Sequence, residues 1–247
     1  MTKQSREIIY GIHAVEAAIR NHPENVLQVF VQQGRNDNRI KTLLDIAKNS
    51  GLSTQFISND KLKEKCPGAR HQGVAAEIRQ QASSELSLDD ILGREQLLLL
   101  VLDEVQDPHN IGACLRTADA AGVDAVIVSK NRSPALTPVI RNVASGAAET
   151  VPYIMVSNLA RALDTLIENN VWLIGTSGDA ARTIYDTKVS RRLALVMGSE
   201  GSGMRRLTRE ACDELVSIPM QGTVESLNIS VAAAVCLYEI RRQQLQA

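Results

Sequence analysis

Apolar positions along this 247-residue chain recur in two rhythms. Short runs at Leu27–Val31, Thr54–Ile57 and Val74–Ile78 have the length and β-branched content of strands. Between them, Ile12–Arg20, Asn38–Asn49 and Asp60–Lys65 repeat apolar residues at helical spacing, which predicts a small α/β domain over residues 1–79. Residues 80–95, QQASSELSLDDILGRE, exchange that pattern for Ser, Gln and acidic residues and read as a linker. Beyond it the alternation sharpens. Leu97–Leu102 is continuously apolar, a helical segment ends near Gly122, and Ala125–Val128 is again apolar. A helix from about Asn158, strands at Val171–Gly175 and Leu193–Met197, a short helix near Arg205–Cys212 and a strand at Leu215–Pro219 follow. Strands buried on both faces and separated by helical segments predict a mainly parallel sheet covered on both sides, in a second domain over 96–247. The closing helix, Leu227–Gln244, begins ISVAAAVCLY, apolar all round, and is expected to pack against more than one surface, within the fold or between subunits.

Composition narrows the class. With 44% hydrophobic and 22% charged residues the chain can bury a core without staples. No apolar run approaches the length of a membrane span, and MTKQSREIIYGIH lacks the apolar core of a signal peptide, so the expectation is a cytoplasmic protein. Cys66, Cys114, Cys212 and Cys236 are too dispersed for a CxxC pair, and His13, His22, His71 and His109 show no paired-ligand spacing; buried thiols and no metal are expected. The net charge of −1 conceals 12 Lys and Arg against 8 Asp and Glu in the first 80 residues, and 15 against 20 in the rest. That split hints at an anion-binding N-terminal face.

In a parallel sheet, ligands bind where loops leave the carboxyl ends of strands. Four such loops stand out. After the first strand of the second domain comes DEVQDPHNIGACLRTA, in which Asp107 or Asn110 can cap a helix, Pro108 presets the turn and Arg116 follows six residues after Asn110. Then come Gly175-Thr-Ser-Gly178 and Met197-Gly198-Ser-Glu200-Gly201-Ser-Gly203. The latter spells G-x-x-G-x-G with a carboxylate inside, which is neither the dinucleotide fingerprint nor a P-loop and fits a cofactor without phosphate. In the fourth loop, Ile218-Pro-Met220 leads to Ser226-Leu227-Asn228, where Ser226 or Asn228 can cap the last helix. Singly, capping accounts for each.

Together, DPHNIGACLRTADAAG, LALVMGSEGSGM and SIPMQGTVESLNISVAAAVCLYE resemble the three signature motifs of the SpoU (TrmH) family of RNA ribose 2'-O-methyltransferases, of the SPOUT class, across roughly residues 97–244. Upstream, YGIHAVEAAI and HQGVAAEI resemble the ends of the L30e-like RNA-binding domain carried by one branch of that family. The resemblance implies an α/β protein whose small L30e-like domain is joined to a SPOUT-type parallel-sheet domain with a C-terminal trefoil knot, a rare exception to unknotted topology. It further implies S-adenosylmethionine as methyl donor and a homodimer. The implied substrate is RNA and not DNA, namely a guanosine in the peptidyl-transferase region of 23S rRNA.

The family's catalytic positions carry over onto Asn110, Arg116, Glu200, Ser226 and Asn228, and its cofactor contacts onto Gly198, Ile218 and Leu227, with Thr176, Gly178 and Met220 beside them. A ribose 2'-OH is a very poor acid, and a guanidinium seldom acts as a base, so Arg116 is read as stabilising the developing alkoxide and gripping the adjacent phosphate. Arg132, Arg141, Arg205, Arg206 and Arg209 are candidates to line the RNA approach. With only 3% aromatics, recognition of structured RNA by shape and backbone is expected over base stacking. The rivals are a tRNA 2'-O-methyltransferase of the same class, a non-catalytic RNA-binding assembly factor, and, disfavoured by glycine spacing, a nicotinamide-dependent dehydrogenase.

Overall fold

The computed structural model describes residues 6–69, 71–79 and 86–246. Internal packing divides the chain into two units, Met1–Glu85 with Leu136–Thr150, and Leu86–Ala135 with Val151–Ala247.

In the first unit, β1 (Arg6–Tyr10), α1 (Ile12–Asn21), β2 (Val26–Gln32), α2 (Asn38–Asn49), β3 (Thr54–Ile57), α3 (Asn59–Lys65) and β4 (Val74–Arg79) build a four-stranded sheet. Its order is β1-β4-β2-β3, with β4 antiparallel to both neighbours and β2 parallel to β3. Asp37 and Ser58 cap α2 and α3 by accepting from Ile40 N and Lys61 N. Ile12, Val15 and Ile19 of α1, with Ile40 and Leu43 of α2, pack on Val29, Val31, Val74, Ala76 and Ile78. Leu62 of α3 meets Phe30, Ile57 and Ala75 on the other face.

In this unit two elements depart from the sequence reading. The first strand, β1, was not expected, because its burial along Arg6–Tyr10 does not alternate. The helix Pro138–Ala144, absent from the reading and inside the span assigned to the second domain, belongs by packing to the first unit. There Arg141 pairs with Glu149 and lies 3.8 Å from Glu7, whose carboxyl is raised by burial. Of the expected linker, residues 80–85 lie outside the described residues, and the remainder contains a short helix, α4 (Asp89–Leu92).

The second unit continues with β5 (Leu97–Asp103), α5 (Pro108–Ala120) and β6 (Ala125–Ser129). The helix Pro138–Ala144 takes the label α6. After it come β7 (Tyr153–Val156), α7 (Leu159–Glu168), β8 (Trp172–Thr176), β9 (Arg182–Thr183), β10 (Arg192–Gly198), α8 (Arg206–Glu210), β11 (Glu214–Ser217) and α9 (Ile229–Gln244). The seven strands run in the order β7-β6-β5-β10-β8-β11-β9, and every pairing is parallel.

Every residue of β5 is buried, as a central parallel strand requires. Leu97, Leu99 and Val101 face α4 and α7 through Ile91, Leu159, Leu163 and Leu166. Leu98, Leu100 and Leu102 point to the opposite face, the side of α5 and α9. Helix α9 buries Ala233, Cys236, Leu237 and Ile240, but leaves Val231 and Tyr238 at 49% and 55% exposure. Within the chain, then, one side of this apolar helix is covered and another is not. No helix among the described residues is long and apolar enough to cross a membrane.

Candidate active site

Because the strands are parallel, β5, β8, β10 and β11 deliver their carboxyl ends, Asp103, Thr176, Gly198 and Ser217, to one edge of the sheet. The four loops singled out from sequence all leave from that edge.

Three of them meet at one carboxylate. Asp107 caps α5 by accepting from His109 N at 2.9 Å, which sets Asn110 in the first turn. Asn228 caps α9, its Oδ1 accepting from Ser230 N at 3.0 Å. Glu200 lies between the two helix starts. Its Oε1 accepts from Asn110 Nδ2 (3.1 Å), Asn228 Nδ2 (2.6 Å) and Ile229 N (3.1 Å), and Asn228 Nδ2 also donates to Asn110 Oδ1 (2.9 Å). The closed triangle Asn110–Glu200–Asn228 joins residues up to 118 positions apart. It also places a negative charge at the start of α9, where the helix dipole favours one. Beneath it, burial, with a contribution from the Glu200 charge, pushes the Cys114 thiol up to about 12.

Backbone crowding explains one glycine of the third loop, Gly198, whereas Gly201 and Gly203 stand in open space at φ 89° and 68°. A Cβ on Gly198 would stand 2.0 Å from Gly203 C and 2.1 Å from Met204 N, because the loop doubles back through Ser199 N to Gly203 O (3.1 Å) and Gly203 N to Ser199 O (3.0 Å). Gly178, by contrast, faces open space.

The remaining residues stand apart from the triangle. Arg116 is exposed and, among the described residues, its guanidinium makes no hydrogen bond or ion pair. Six residues on from Asn110, it lies about 120° round α5 and about 9 Å along it. Ser226 is exposed and outside the network, while Thr176, Ile218, Met220 and Leu227 are half-buried around the same edge. Among the described residues, Ile218–Leu227 make no main-chain hydrogen bonds to other main-chain groups, leaving their N–H and C=O groups available to a ligand. Half-buried apolar side chains, unengaged main-chain groups and the open space at Gly178 suit a neutral adenosyl group.

The five arginines proposed for the RNA approach all hold carboxylates: Arg132 with Glu104, Arg141 with Glu149, Arg205 with Asp103, Arg206 with Glu210 and Arg209 with Asp179. Sequence reasoning missed Asp103 as a structural anchor. It is fully buried at the end of β5 and accepts from Arg205 N and Nε, each at 2.9 Å. A carboxylate closing a continuously apolar strand was the signal that a partner had to exist. Glu104, next to it, sits in the left-handed region at φ 60° with Arg132 Nη1 at 2.9 Å. Among the described residues no group of three or more His, Cys, Asp or Glu side chains could hold a metal ion.

Known proteins resemble this chain in sequence and in fold. A model of the SpoU rRNA Methylase family matches residues 97–238, more than half of the chain, and the chain belongs to that family. A second model, described as RNA 2'-O ribose methyltransferase substrate binding, matches residues 8–83.

Among individual proteins, the 23S rRNA (guanosine-2'-O-)-methyltransferase RlmB of Haemophilus influenzae is 56% identical over 244 residues, 97% of this chain and 98% of that one. RlmB of Escherichia coli K12 is 52% identical over 241 residues, 96% and 99% of the two chains. The crystal structure of an RNA 2'-O ribose methyltransferase matches with a TM-score of 0.84 at 28% identity, covering 98% of this chain and 90% of that one. The SpoU methyltransferase AviRb from Streptomyces viridochromogenes, in complex with AdoMet, matches with a TM-score of 0.80 at 25% identity, covering 98% and 91%.

Proposed function

We propose that this protein transfers a methyl group from S-adenosylmethionine to the ribose 2'-OH of a guanosine in 23S rRNA, in the peptidyl-transferase region. The observation that carries the reading is the Asn110–Glu200–Asn228 triangle, which unites three signature loops in a chain 56% identical to a 23S rRNA guanosine methyltransferase along nearly its whole length.

Gly198, Ile218 and Leu227, with Thr176, Gly178 and Met220, hold the donor, which supplies an electrophilic methyl group. Main-chain groups of 218–227 would read the adenine edges, and the half-buried Ile218, Met220 and Leu227 would supply apolar walls. As the oxygen–methyl bond forms and the sulfonium–methyl bond breaks, the 2'-OH proton passes to solvent water, and Arg116, a guanidinium with no carboxylate to neutralise it, stabilises the negative charge on the 2'-oxygen and holds the neighbouring phosphate. Asn110 and Glu200 orient the loop around the ribose, and Ser226 and Asn228 border it.

The first unit serves as an L30e-like RNA grip, in keeping with the substrate-binding model matched over residues 8–83. The exposed apolar side of α9, Val231 and Tyr238, supports a homodimer with that side as part of the interface. The chain's return from β11, near the sheet edge, to α9 packed on α5 and β10 at its centre supports a C-terminal trefoil knot closed around the Glu200 loop.

Incubation with radiolabelled S-adenosylmethionine and unmodified large-subunit rRNA, with tRNA in parallel, tests the reading. The expected result is label on one 23S guanosine ribose. Label on tRNA alone would move the target, and no label on either RNA despite donor binding would favour a non-catalytic role. Arg116→Ala is expected to slow transfer by about a hundredfold or more with an unchanged melting temperature; wild-type turnover would remove Arg116 from the mechanism.

A further inference from the structure

Two of the loops assigned to the donor, 176–180 after β8 and 198–204 after β10, are tied by a single short segment. Arg205, immediately before α8, holds the buried Asp103 through both its main-chain N–H and its Nε, fixing the end of the 198–204 loop to β5. Four residues on, Arg209 donates from Nη1 to Ser177 Oγ at 2.8 Å and from Nη2 to both oxygens of Asp179 at 3.0 Å. Ser177 Oγ in turn donates to Asp179 Oδ1, closing a three-residue ring. The two residues gripped by this guanidinium flank Gly178, whose Cβ position is open. Among the described residues, the main-chain bonds holding residues 177–180 are Ser177 N to Val216 O and Ala180 N to Ser177 O.

We propose that residues 205–209 form a bracket setting the spacing of the two donor loops, and that Arg209 and Asp179 are positioning residues for S-adenosylmethionine binding rather than contacts for RNA. The inference rests on the reading of Thr176, Gly178 and Gly198 as donor contacts. A glycine loop loses much conformational freedom when a ligand orders it, and a bidentate Arg–carboxylate clamp placed across it beforehand removes part of that cost. The same clamp neutralises Arg209, which is poorly suited to engage a phosphate while Asp179 occupies its fork. The Asp179 carboxyl is held below its usual range by the Ser177 hydroxyl and then by Arg209, so the clamp is charged on both sides at neutral pH.

The test combines donor affinity by calorimetry, RNA affinity by filter binding, and hydrogen exchange with and without S-adenosylmethionine. Asp179→Ala and Arg209→Gln are each expected to raise the donor Kd about tenfold, or about 1.4 kcal/mol. The double variant should lose no more than the worse single one, because both act through one contact. RNA affinity and melting temperature stay within error, and Arg209→Asp combined with Asp179→Arg recovers donor affinity to within about threefold of wild type.

If Arg209 were an RNA contact, Arg209→Gln would weaken RNA binding, Asp179→Ala would strengthen it by freeing the guanidinium, and donor affinity would not move; that pattern overturns the bracket. So does a parallel fall in donor affinity, RNA affinity and melting temperature. In wild type, the donor should protect amides in 176–180 and 198–204. Absence of that protection sinks the donor reading and the bracket with it, whereas protection together with wild-type donor affinity in both variants sinks the bracket alone.

Discussion

Replacing Glu200 by glutamine isolates the charge at the centre of the triangle from its geometry. The glutamine oxygen can still accept from Asn110 Nδ2, Asn228 Nδ2 and Ile229 N, so three hydrogen bonds persist as neutral ones. Charge-assisted hydrogen bonds contribute roughly 1.5–3 kcal/mol and neutral ones roughly 0.5–1.5, a loss of about 1 kcal/mol per bond. Glu200 is exposed, and solvent screening reduces the total for the three to about 1–2 kcal/mol. Loss of the negative charge at the start of α9 adds about 0.5 kcal/mol. The expected cost is therefore about 2 kcal/mol, which shifts the balance between assembled and separated loops by roughly thirtyfold.

Single-turnover methyl transfer at saturating donor, with scanning calorimetry on the same samples, reads both consequences. Glu200→Gln should be slower than wild type and melt roughly 4–8 °C lower if the loss is felt globally. Glu200→Ala, which removes the acceptor as well, should be worse on both counts. Wild-type rate and melting temperature in Glu200→Gln would refute the reasoning. Equal defects in the two variants would mean that the neutral bonds do not survive and that the charge alone holds the loops.

Other outcomes follow from the same edge of the sheet. Gly198→Ala drives a methyl group into the Gly203–Met204 backbone and should break the Ser199–Gly203 pairing at a cost of about 3–5 kcal/mol, abolishing donor binding by calorimetry; unchanged binding would contradict the crowding argument. Asp103→Asn leaves a buried amide against Arg205, and after allowance for the partly exposed guanidinium it should destabilise by about 2–3 kcal/mol in urea titration; an unmoved midpoint would count against Asp103 as an anchor. Burial pushes the Cys114, Cys212 and Cys236 thiols up to about 12, whereas unfolded thiols titrate near 8.5. The folded state then keeps protons that the unfolded state releases, so stability is full below about pH 8.5 and declines as pH rises through 9 to 12. A flat urea midpoint between pH 8 and 10.5 would rule this out.

Most of the catalytic unit was readable because its strands are buried on both faces. Leu97–Leu102 and Leu193–Met197 are unbroken apolar runs that admit few other interpretations, and the turn chemistry at Asp107-Pro108 and Asn228 marks helix starts on its own. What escaped has identifiable causes. The edge strand β7 is only four residues long and largely half-buried, and the two-residue β9 has no periodicity at all. Helix α6 was hidden because Thr137, Pro138 and the left-handed Ser145 compress its start and stop into a segment that resembles a loop.

In the site, the motifs that resemble the SpoU family singled out Asn110, Glu200 and Asn228, which the fold brings together, but they did not disclose the partnership. Nothing in the sequence says that Glu200 bridges Asn110 and Asn228, since those contacts depend on β5 and β10 lying side by side. The five arginines show the same limit. Their charge suggested RNA, and only three-dimensional placement revealed the carboxylate each one already holds.

The strand order bears on how the chain is made. The apolar β5 takes β10 as a neighbour, Leu97 opposite Arg192 and Asp103 opposite Gly198, so one of its edges cannot close until nearly a hundred further residues have been synthesised. At about 5–20 residues per second that edge stays unpaired on the ribosome for roughly 5–20 s, long enough for a hydrophobic strand to pair with the wrong chain. Nascent chains arrested before Arg192 should therefore be clients of holding chaperones and aggregate without them, while chains released after α9 should not.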